Sequence, residues 1–468
     1  MNRVLEFVER VFWGAPDAEK KTPLLVFSNG GTFNVGDAFE SVLFIGSSGS
    51  GKTSAAATYY RAMLLDQFGG LVLCVKGNQV EKFVALCREC GRESDVILLG
   101  VNGGHRFNPL AGASVTEAAS VLVELADVLR RQTSKAEDAF FRQQSEIMVH
   151  RLLTLCWSHY GRLDISDVAR MFKGRATDLI RLVDPGWRQS SVMAAALDKA
   201  RANPDEDMQR AVEYFEQDFP THGDRLQGSL AATVSGVLDN LTSRKMKALF
   251  SGESTFTMRD LLFGGKICVL AVPVLGDEGL MTDPTDGKIA NGLMQFCFCR
   301  AAAKSNHENN VFLISDECQE TLSVDLRSKL AVLRDHRVAT VLLTQDLPTI
   351  DAILGVDERK AILAKCTTKV FLRQGDADTR EWASAQFGKY MGEQTSHTTT
   401  RSDGKTSRSH STQPAELYRA RPESFAKLKN GKEEYHCIVE SVVLFAGKWS
   451  MERWHQERPG ENGTVKIA

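Results

Sequence analysis

Short apolar runs alternate with longer segments of helical periodicity over much of the chain. Strands buried on both faces read as continuous apolar runs, and such runs separated by helices are typical of a parallel sheet with crossover helices. The pattern therefore predicts an α/β fold with a mainly parallel sheet. The predicted strands are 24–27, 41–45, 71–75, 95–99, 266–272, 311–314, 338–345 and 437–445.

The middle of the chain has a different pattern. Residues 111–228 show almost no strand signal, and their apolar spacing predicts long helices, most clearly over 118–131 and 137–160. We therefore predict an all-α domain inserted into the α/β core. The predicted parts are a lead-in with an amphipathic helix (1–37), the first part of the core (38–110), the inserted all-α domain (111–228) and the second part of the core (229–468).

One segment of the second core part stands out by its composition. Residues 391–414 are rich in Ser, Thr, Gly and His, and they include Arg401, Lys405 and Arg408. This composition predicts a mobile loop. Its basic and hydroxyl side chains suit contact with a nucleic-acid backbone, and a plain disordered surface loop is the simpler alternative.

Charge and cysteine content narrow the class of protein. A net charge of −2 over 468 residues gives no global attraction to nucleic acid. This net charge is nevertheless compatible with DNA binding by basic residues that are concentrated on the inner wall of a ring. No run of about eighteen apolar residues occurs, so no transmembrane helix is predicted. Scattered cysteines in apolar strands indicate reduced thiols in a cytoplasmic protein, and Cys87 and Cys90 predict a helical turn rather than a zinc site.

The stretch from Gly46 to Thr53 fits the phosphate-loop (Walker A) pattern of Gly, four residues, then Gly-Lys-Thr. It follows a predicted strand and precedes the helix-forming residues 54–57, which is the context that this motif needs. Its glycines let backbone N–H groups curl around a phosphate, while Lys52 would reach the β- and γ-phosphates of ATP. A Gly/Ser-rich turn is the alternative. The predicted nucleotide-binding residues are Gly46, Gly49, Ser50, Gly51, Lys52, Thr53 and Ser54.

A second cluster of polar residues follows the predicted strand 311–314. Asp316 and Glu317 lie at the carboxyl end of this apolar run, where parallel sheets bind ligands. Asp316 together with the Thr53 hydroxyl would hold Mg²⁺, and Glu317 would polarise the attacking water. Alone, such a Walker B run is weak evidence. Together with the phosphate loop it predicts an ATPase.

Two further side chains are candidates for the same reaction. Gln345 ends the predicted strand 338–345, where its amide would contact the γ-phosphate or the lytic water as a sensor, or simply cap the strand. Arg334, at the end of a predicted helix over 325–334, would reach the nucleotide of a neighbouring subunit as an arginine finger. Arg337 is the second choice for that role, and an ordinary surface arginine is the alternative for both.

In their order along the chain, these motifs resemble those of the HerA–FtsK superfamily of ring ATPases. The closest resemblance is to the motor domain of type IV secretion coupling proteins, the TraG/TraD-like DNA pumps. It covers roughly residues 38–450. The matching pieces are Gly46 to Thr53, Lys76-Gly77, Phe107-Asn108-Pro109-Leu110, Ser315-Asp316-Glu317, Thr344-Gln345-Asp346-Leu347, and the stretches 362–373 and 388–395.

The resemblance implies a RecA-like motor core with an all-α insertion after the third strand. It implies a homohexamer around a channel, with ATP and Mg²⁺ bound between subunits, and translocation of single- or double-stranded DNA. By position it implies Arg334 as the trans-acting finger and Gln345 as the sensor. The family's insertion is associated with recognising DNA or the relaxase-like protein attached to it.

Two departures from the family pattern keep other functions open. Coupling proteins usually begin with two membrane-spanning helices, and this sequence shows none. Lys76-Gly77 is flanked by Val75 and Asn78 where the family has Asp-Pro before it and an acidic residue after it. We expect a cytoplasmic ATPase that partner proteins recruit to the inner membrane face. The alternatives are a protein-directed secretion or assembly ATPase, and a packaging or defence ATPase of the same superfamily acting with a partner protein.

Overall fold

The computed structural model describes residues 21–100, 103–130, 137–274, 284–321, 324–402 and 405–456. The amphipathic helix predicted near the N-terminus lies outside these ranges. Internal contacts divide the chain into two compact units. One comprises residues up to 63 together with those from 341 onward, and the other comprises residues 64–340.

All eight predicted strands are present, with ends that differ from the prediction by one or two residues. The strands are β1 (Pro23–Val26), β2 (Thr32–Asn34), β3 (Val42–Ile45), β4 (Gly69–Leu73), β5 (Val96–Gly100), β6 (Ile267–Ala271), β7 (Val311–Ser315), β8 (Val338–Thr344), β9 (Thr368–Phe371), β10 (Lys389–Ser402), β11 (Lys405–Tyr418), β12 (Ile438–Phe445) and β13 (Lys448–His455).

Helices connect most of these strands. They are α1 (Val35–Ala38), α2 (Lys52–Leu65), α3 (Gly77–Glu89), α4 (Val115–Arg130), α5 (Glu137–Tyr160), α6 (Ile165–Lys173), α7 (Leu179–Val183), α8 (Pro185–Ser190), α9 (Val192–Arg201), α10 (Glu206–Glu213), α11 (Phe219–Thr221), α12 (Asp224–Leu241), α13 (Arg244–Phe250), α14 (Met258–Leu262), α15 (Pro284–Lys304), α16 (Val324–Asp335), α17 (Leu347–Leu354), α18 (Val356–Ala364), α19 (Ala377–Gln386) and α20 (Pro422–Ala426).

The first unit contains five neighbouring strands in the order β13-β12-β9-β3-β8. Strand β3 is parallel to both β8 and β9, whereas β12 is antiparallel to β9 and β13. All four residues of β3 are buried, which explains why the strand reads as an unbroken apolar run. Its carboxyl end leads directly into the phosphate loop.

The second unit contains four strands in the order β7-β4-β6-β5, and all of their pairings are parallel. Gly69 and Gly70 open β4, two residues before the predicted start of this strand. Gly70 has a φ of +139°, and a Cβ on it would lie 2.1 Å from the carbonyl oxygen of Phe312 in β7. Only glycine therefore allows β4 and β7 to approach this closely.

A block of helices, α4 to α14, separates β5 from β6, and the described residues between those strands contain no strand. This finding agrees with the predicted all-α insertion, and α5 has the predicted bounds. Helical structure continues beyond residue 228, since α12 runs through that position without a break. Thr242 then ends α12, and Ser243 caps α13 by accepting a hydrogen bond from the backbone of Met246.

The segment predicted as a loop over 391–414 has a different secondary structure. Strands β10 and β11 form an antiparallel ribbon with fourteen paired positions and belong to no larger sheet. The prediction of a loop is therefore wrong in secondary structure. Polar composition alone predicts a loop, but this segment is rich in threonine, a β-branched residue that favours extended backbone.

Two further predictions concern the cysteine pair and membrane-spanning helices. Cys87 lies in the last turn of α3 and Cys90 caps its end, so the pair forms the predicted helical turn. None of the described helices is long and apolar enough to cross a membrane.

Candidate functional site

The phosphate loop begins at the carboxyl end of β3, between the ends of β8 and β9. The pairing of Ile45 with Thr344 sets the register, and the Gly46 N–H donates to the Thr344 carbonyl at 3.3 Å. On the other side, the Ser47 N–H donates to the carbonyl of Arg373, just past β9, at 2.9 Å. Backbone hydrogen bonds from both neighbouring chain segments therefore fix the entry to the loop.

Backbone conformation and steric contact both require glycine in the phosphate loop. Gly49 and Gly51 have φ values of +69° and +88°, a region that residues with a Cβ rarely adopt. A Cβ on Gly51 would also lie 2.4 Å from the Cγ2 atom of Val439 in β12. The spacing of glycines in the motif is thus set partly by packing against β12, a strand far away in sequence.

Lys52 is the first residue of α2, and its side chain points back into the loop. Its ammonium group donates to the Gly46 carbonyl at 2.6 Å and lies 3.3 Å from the Ser47 carbonyl oxygen. The residue is only 7% exposed. A cationic group is thus held inside the curl of backbone at a helix N-terminus, where the helix dipole also favours an anion.

The hydroxyls of the loop suit a phosphate group. Ser50 is buried, and within the described part of the chain its Oγ atom has no hydrogen-bond partner. A buried hydroxyl without a partner is unfavourable unless a ligand supplies one. Thr53 is exposed at the start of α2 and Ser54 is half-buried beside it. This set of donors and acceptors fits a phosphate and its Mg²⁺ ion.

Gln374 is a site residue that the sequence analysis missed. It is buried three residues past β9, where its Oε1 atom accepts from the Ser47 hydroxyl at 2.8 Å. Its Nε2 atom donates to the backbone carbonyl of Gln345 at 2.8 Å. Gln374 therefore ties the phosphate loop to the end of β8. The signal available in the sequence was a polar amide shortly after an apolar run, the same signal that identified Gln345.

Gln345 lies where the sequence predicted it, immediately after β8 and half-buried. Because β3 and β8 are parallel neighbours in register, Gln345 and Gly46 occupy equivalent positions at the carboxyl ends of the two strands. The structure thus brings the sensor candidate together with the phosphate loop. Its role as a γ-phosphate sensor stays a prediction.

The acidic pair belongs to the second unit and follows β7, whose five residues are all buried. Asp316 and Glu317 are both buried. The Glu317 N–H donates to the Asp316 carboxylate at 2.9 Å. Glu317 itself has a φ of +50°, the left-handed region that is unfavourable for a residue with a side chain. Such backbone conformations often occur at functional sites.

Two residues at the start of α3 hold the carboxylates of the acidic pair. The Lys76 ammonium lies 2.6 Å from Oε1 of Glu317, and the Gln79 amide donates to Oδ2 of Asp316 at 2.7 Å. Gln319 donates to the second oxygen of Glu317 at 3.0 Å. The sequence analysis gave Lys76 only as part of a family motif and did not include Gln79.

The Asp316 carboxylate also influences a neighbouring thiol. Burial raises the pKa of Cys74, which follows β4, far above its usual range, and the negative charge of Asp316 raises it further. The thiol is therefore neutral at physiological pH and does not compete for a metal ion. Asp316, by contrast, is an oxygen ligand of the kind that Mg²⁺ prefers.

The two arginine candidates lie in different surroundings. Arg334, near the end of α16, is exposed, and its Nε atom lies 3.4 Å from the carboxylate of the equally exposed Asp335. Arg337 donates two hydrogen bonds to Oδ1 of Asn310, at 3.1 and 2.8 Å. Because Arg337 is engaged in local structure, Arg334 is the better placed of the two to reach another molecule. The finger role itself stays a prediction.

One family model matches the chain. Residues 310–422 match the family described as the TraM recognition site of TraD and TraG. This segment includes the acidic pair, Arg334, Gln345, Gln374 and the β10–β11 ribbon. No curated protein sequence matches the chain.

Several solved structures share the fold. The unbound bacterial conjugative coupling protein TrwB has a TM-score of 0.60 and 14% sequence identity, over 97% of this chain and 91% of that chain. TrwB in complex with ADP and Mg²⁺ gives 0.60 and 14%, over 94% and 90%. VirB4 of Thermoanaerobacter pseudethanolicus gives 0.53 and 13%, over 94% and 97%.

These identities establish similarity of fold, which is the RecA-like α/β fold with a mainly parallel sheet. The family match adds similarity in sequence over residues 310–422. Together they confirm the resemblance to TraG/TraD-like coupling proteins: residues 310–422 match the family model of TraD and TraG, and the chain shares the fold of the coupling protein TrwB.

Proposed function

We propose that the chain is an ATP-driven DNA-translocating motor that hydrolyses ATP at the subunit interfaces of a ring. The observation that carries this proposal is the phosphate loop, in which a buried ammonium and a buried, unpartnered hydroxyl lie within a curl of backbone. The fold shared with TrwB and VirB4 supports it. TrwB itself has been solved with ADP and Mg²⁺.

Binding of ATP depends on the loop and the start of α2. Backbone N–H groups of the loop and the Ser50 hydroxyl donate to phosphate oxygens, and Lys52 neutralises the charge of the β- and γ-phosphates. Thr53 and Asp316 are the residues that would hold Mg²⁺. When bound, this ion neutralises charge that develops on the phosphates.

Hydrolysis requires a base for the attacking water. Glu317 accepts the proton as the water oxygen bonds to the γ-phosphorus, and the bond from that phosphorus to the β–γ bridging oxygen breaks. The products are ADP and inorganic phosphate. The Gln345 amide orients the γ-phosphate or the water without adding charge. Arg334 of a neighbouring subunit stabilises the transition state.

Two substitutions test the ATPase proposal directly. Lys52→Ala removes the cation in the loop, and we expect loss of measurable ATP binding. Glu317→Gln keeps the size of the side chain but removes the base, and we expect ATP to bind with turnover reduced at least a hundredfold. Binding is measured with a fluorescent ATP analogue and turnover by phosphate release. Full turnover by Glu317→Gln would show that another group is the base.

A second candidate function differs in what the motor acts on. The match to a TraM recognition site favours a partner protein that binds residues 310–422. In that case ATP hydrolysis would drive secretion or assembly with the partner, as in a protein-directed ATPase of the same superfamily. Stimulation of turnover by DNA alone separates the two candidates, because a protein-directed ATPase responds only to its partner.

A further inference from the structure

We propose that Lys76 is a positioning residue that restrains Glu317, and that releasing this restraint is part of the hydrolysis cycle. The inference rests on the proposed ATPase function, since it assigns a regulation to the base of that reaction. Lys76 and Glu317 both belong to residues 64–340, so their contact lies within one compact unit.

Lys76 and Glu317 lie in close contact, and their side chains differ in solvent exposure. Nζ of Lys76 lies 2.6 Å from Oε1 of Glu317, whose side chain is 4% exposed, whereas the side chain of Lys76 is 33% exposed. The carboxylate is therefore fixed in the interior, while the ammonium reaches it from the surface along a flexible stem. An ammonium in this position is able to withdraw into water without leaving a buried cation behind.

The restraint acts on the position of Glu317 and on the access of water to its carboxylate. One carboxylate oxygen accepts from Lys76 and the other accepts from Gln319 at 3.0 Å, so the group is held from two sides. The ammonium occupies one of the directions in which Oε1 could accept a hydrogen bond, so a water molecule cannot donate to the carboxylate from that side. For Glu317 to accept a proton from the attacking water, the Lys76 contact has to lengthen or break.

Gln79 holds the turn that carries Lys76 through contacts that do not involve the Lys76 side chain. Its Nε2 atom donates to Asp316 at 2.7 Å, and its Oε1 atom accepts from the backbone N–H groups of Val75 and Lys76, both at 3.0 Å. Gln79 thereby ties the β4–α3 turn to the acidic pair through its neutral amide group. The turn keeps this connection when the Lys76 side chain is changed, so that substitution alters the charge contact selectively.

The test is the basal kcat for ATP of the full chain with Lys76→Met, which keeps the length of the stem but removes the charge. We expect kcat to rise roughly tenfold, the factor for losing a charge-assisted hydrogen bond worth about 1.4 kcal/mol, with KM for ATP within twofold of wild type. Lys76→Arg keeps the charge and should keep the low basal rate. Lys82→Met, at an exposed position of the same helix, is the matched control and should have no effect.

The results distinguish failure of the inference from failure of the proposed function. An unchanged or lowered kcat in Lys76→Met, with an unchanged thermal unfolding midpoint, overturns the restraint. If Lys76→Met does not fold, Lys76→Gln is used and judged by the same criterion. If wild type and all variants bind ATP but none hydrolyses it, the proposed function fails and the inference fails with it. In a Glu317→Gln background, Lys76→Met should no longer raise kcat.

Discussion

Replacing Gln374 by alanine tests whether the phosphate loop is held in place from outside the motif. The Gln374 side chain hydrogen-bonds both to the loop, at Ser47, and to the chain beyond β8, at Gln345. Alanine removes both of these bonds, together with the bond that Oε1 accepts from the Asp376 N–H at 3.0 Å, and leaves a buried space. The Ser47 side chain keeps its other hydrogen bond, because its Oγ atom still accepts from the Gly375 N–H at 2.9 Å.

The size of the effect follows from the two bonds to Ser47 and Gln345. A buried hydrogen bond contributes roughly 0.5–1.5 kcal/mol net, so the loss is about 1–3 kcal/mol. In the free variant the loop is less ordered, and ATP has to order it on binding. We therefore expect the Kd for ATP to rise about five- to a hundredfold, since 1.4 kcal/mol corresponds to a factor of ten.

The assay is titration with a fluorescent ATP analogue, with the thermal unfolding midpoint measured on the same samples. Gln394→Ala serves as the control, because Gln394 is an exposed glutamine on β10 in the same unit. It should bind ATP as wild type does. A Kd for Gln374→Ala within twofold of wild type, at an unchanged midpoint, would refute the idea that Gln374 orders the loop.

Three further changes have defined outcomes. Arg334→Ala should abolish ATP turnover while sparing ATP binding, and intact turnover in this variant would contradict the finger assignment. Arg337→Ala should chiefly lower the thermal unfolding midpoint. Lys304, Ser114 and Arg300 hold the pKa of Glu117 far below its usual range, so its stabilising contribution is complete above about pH 4.3 and is lost as the pH falls below that value. Between about pH 5 and pH 3, the thermal unfolding midpoint of Glu117→Gln should accordingly depend less on pH than that of wild type. Parallel curves of midpoint against pH would contradict this. Gly70→Ala should lower the free energy of unfolding by about 3 kcal/mol or more, because its Cβ would overlap the facing strand. Urea titration measures this free energy, and a smaller loss would contradict the prediction.

Most of the α/β pattern could be predicted from the sequence because buried parallel strands leave a continuous apolar signal. β3, β7 and β8 are buried along their whole length, and all three were predicted within one residue. The phosphate loop and the acidic pair could be predicted for a related reason. Each is a short local motif at the end of such a strand, so no long-range contact is needed to recognise it.

The elements that were missed depend on contacts far apart in sequence. Gln374 is separated from Ser47 by 327 residues, and Lys76 and Gln79 are separated from their partners in the acidic pair by 241 and 237 residues. The β10–β11 ribbon was missed for a different reason. Its polar composition lacks the alternation that a half-buried strand shows, because it does not pair with a larger sheet.

The measurement that tests the central claim most directly is the rate of ATP hydrolysis with and without single- and double-stranded DNA, at low and high salt. The Glu317→Gln variant provides the blank. A motor that grips the DNA backbone should show a DNA-dependent rise in turnover that weakens as salt increases, because phosphate contacts release counterions. The strand form that gives the larger rise identifies the substrate. Basal turnover that does not respond to either form of DNA would contradict the claim and favour a protein-directed ATPase.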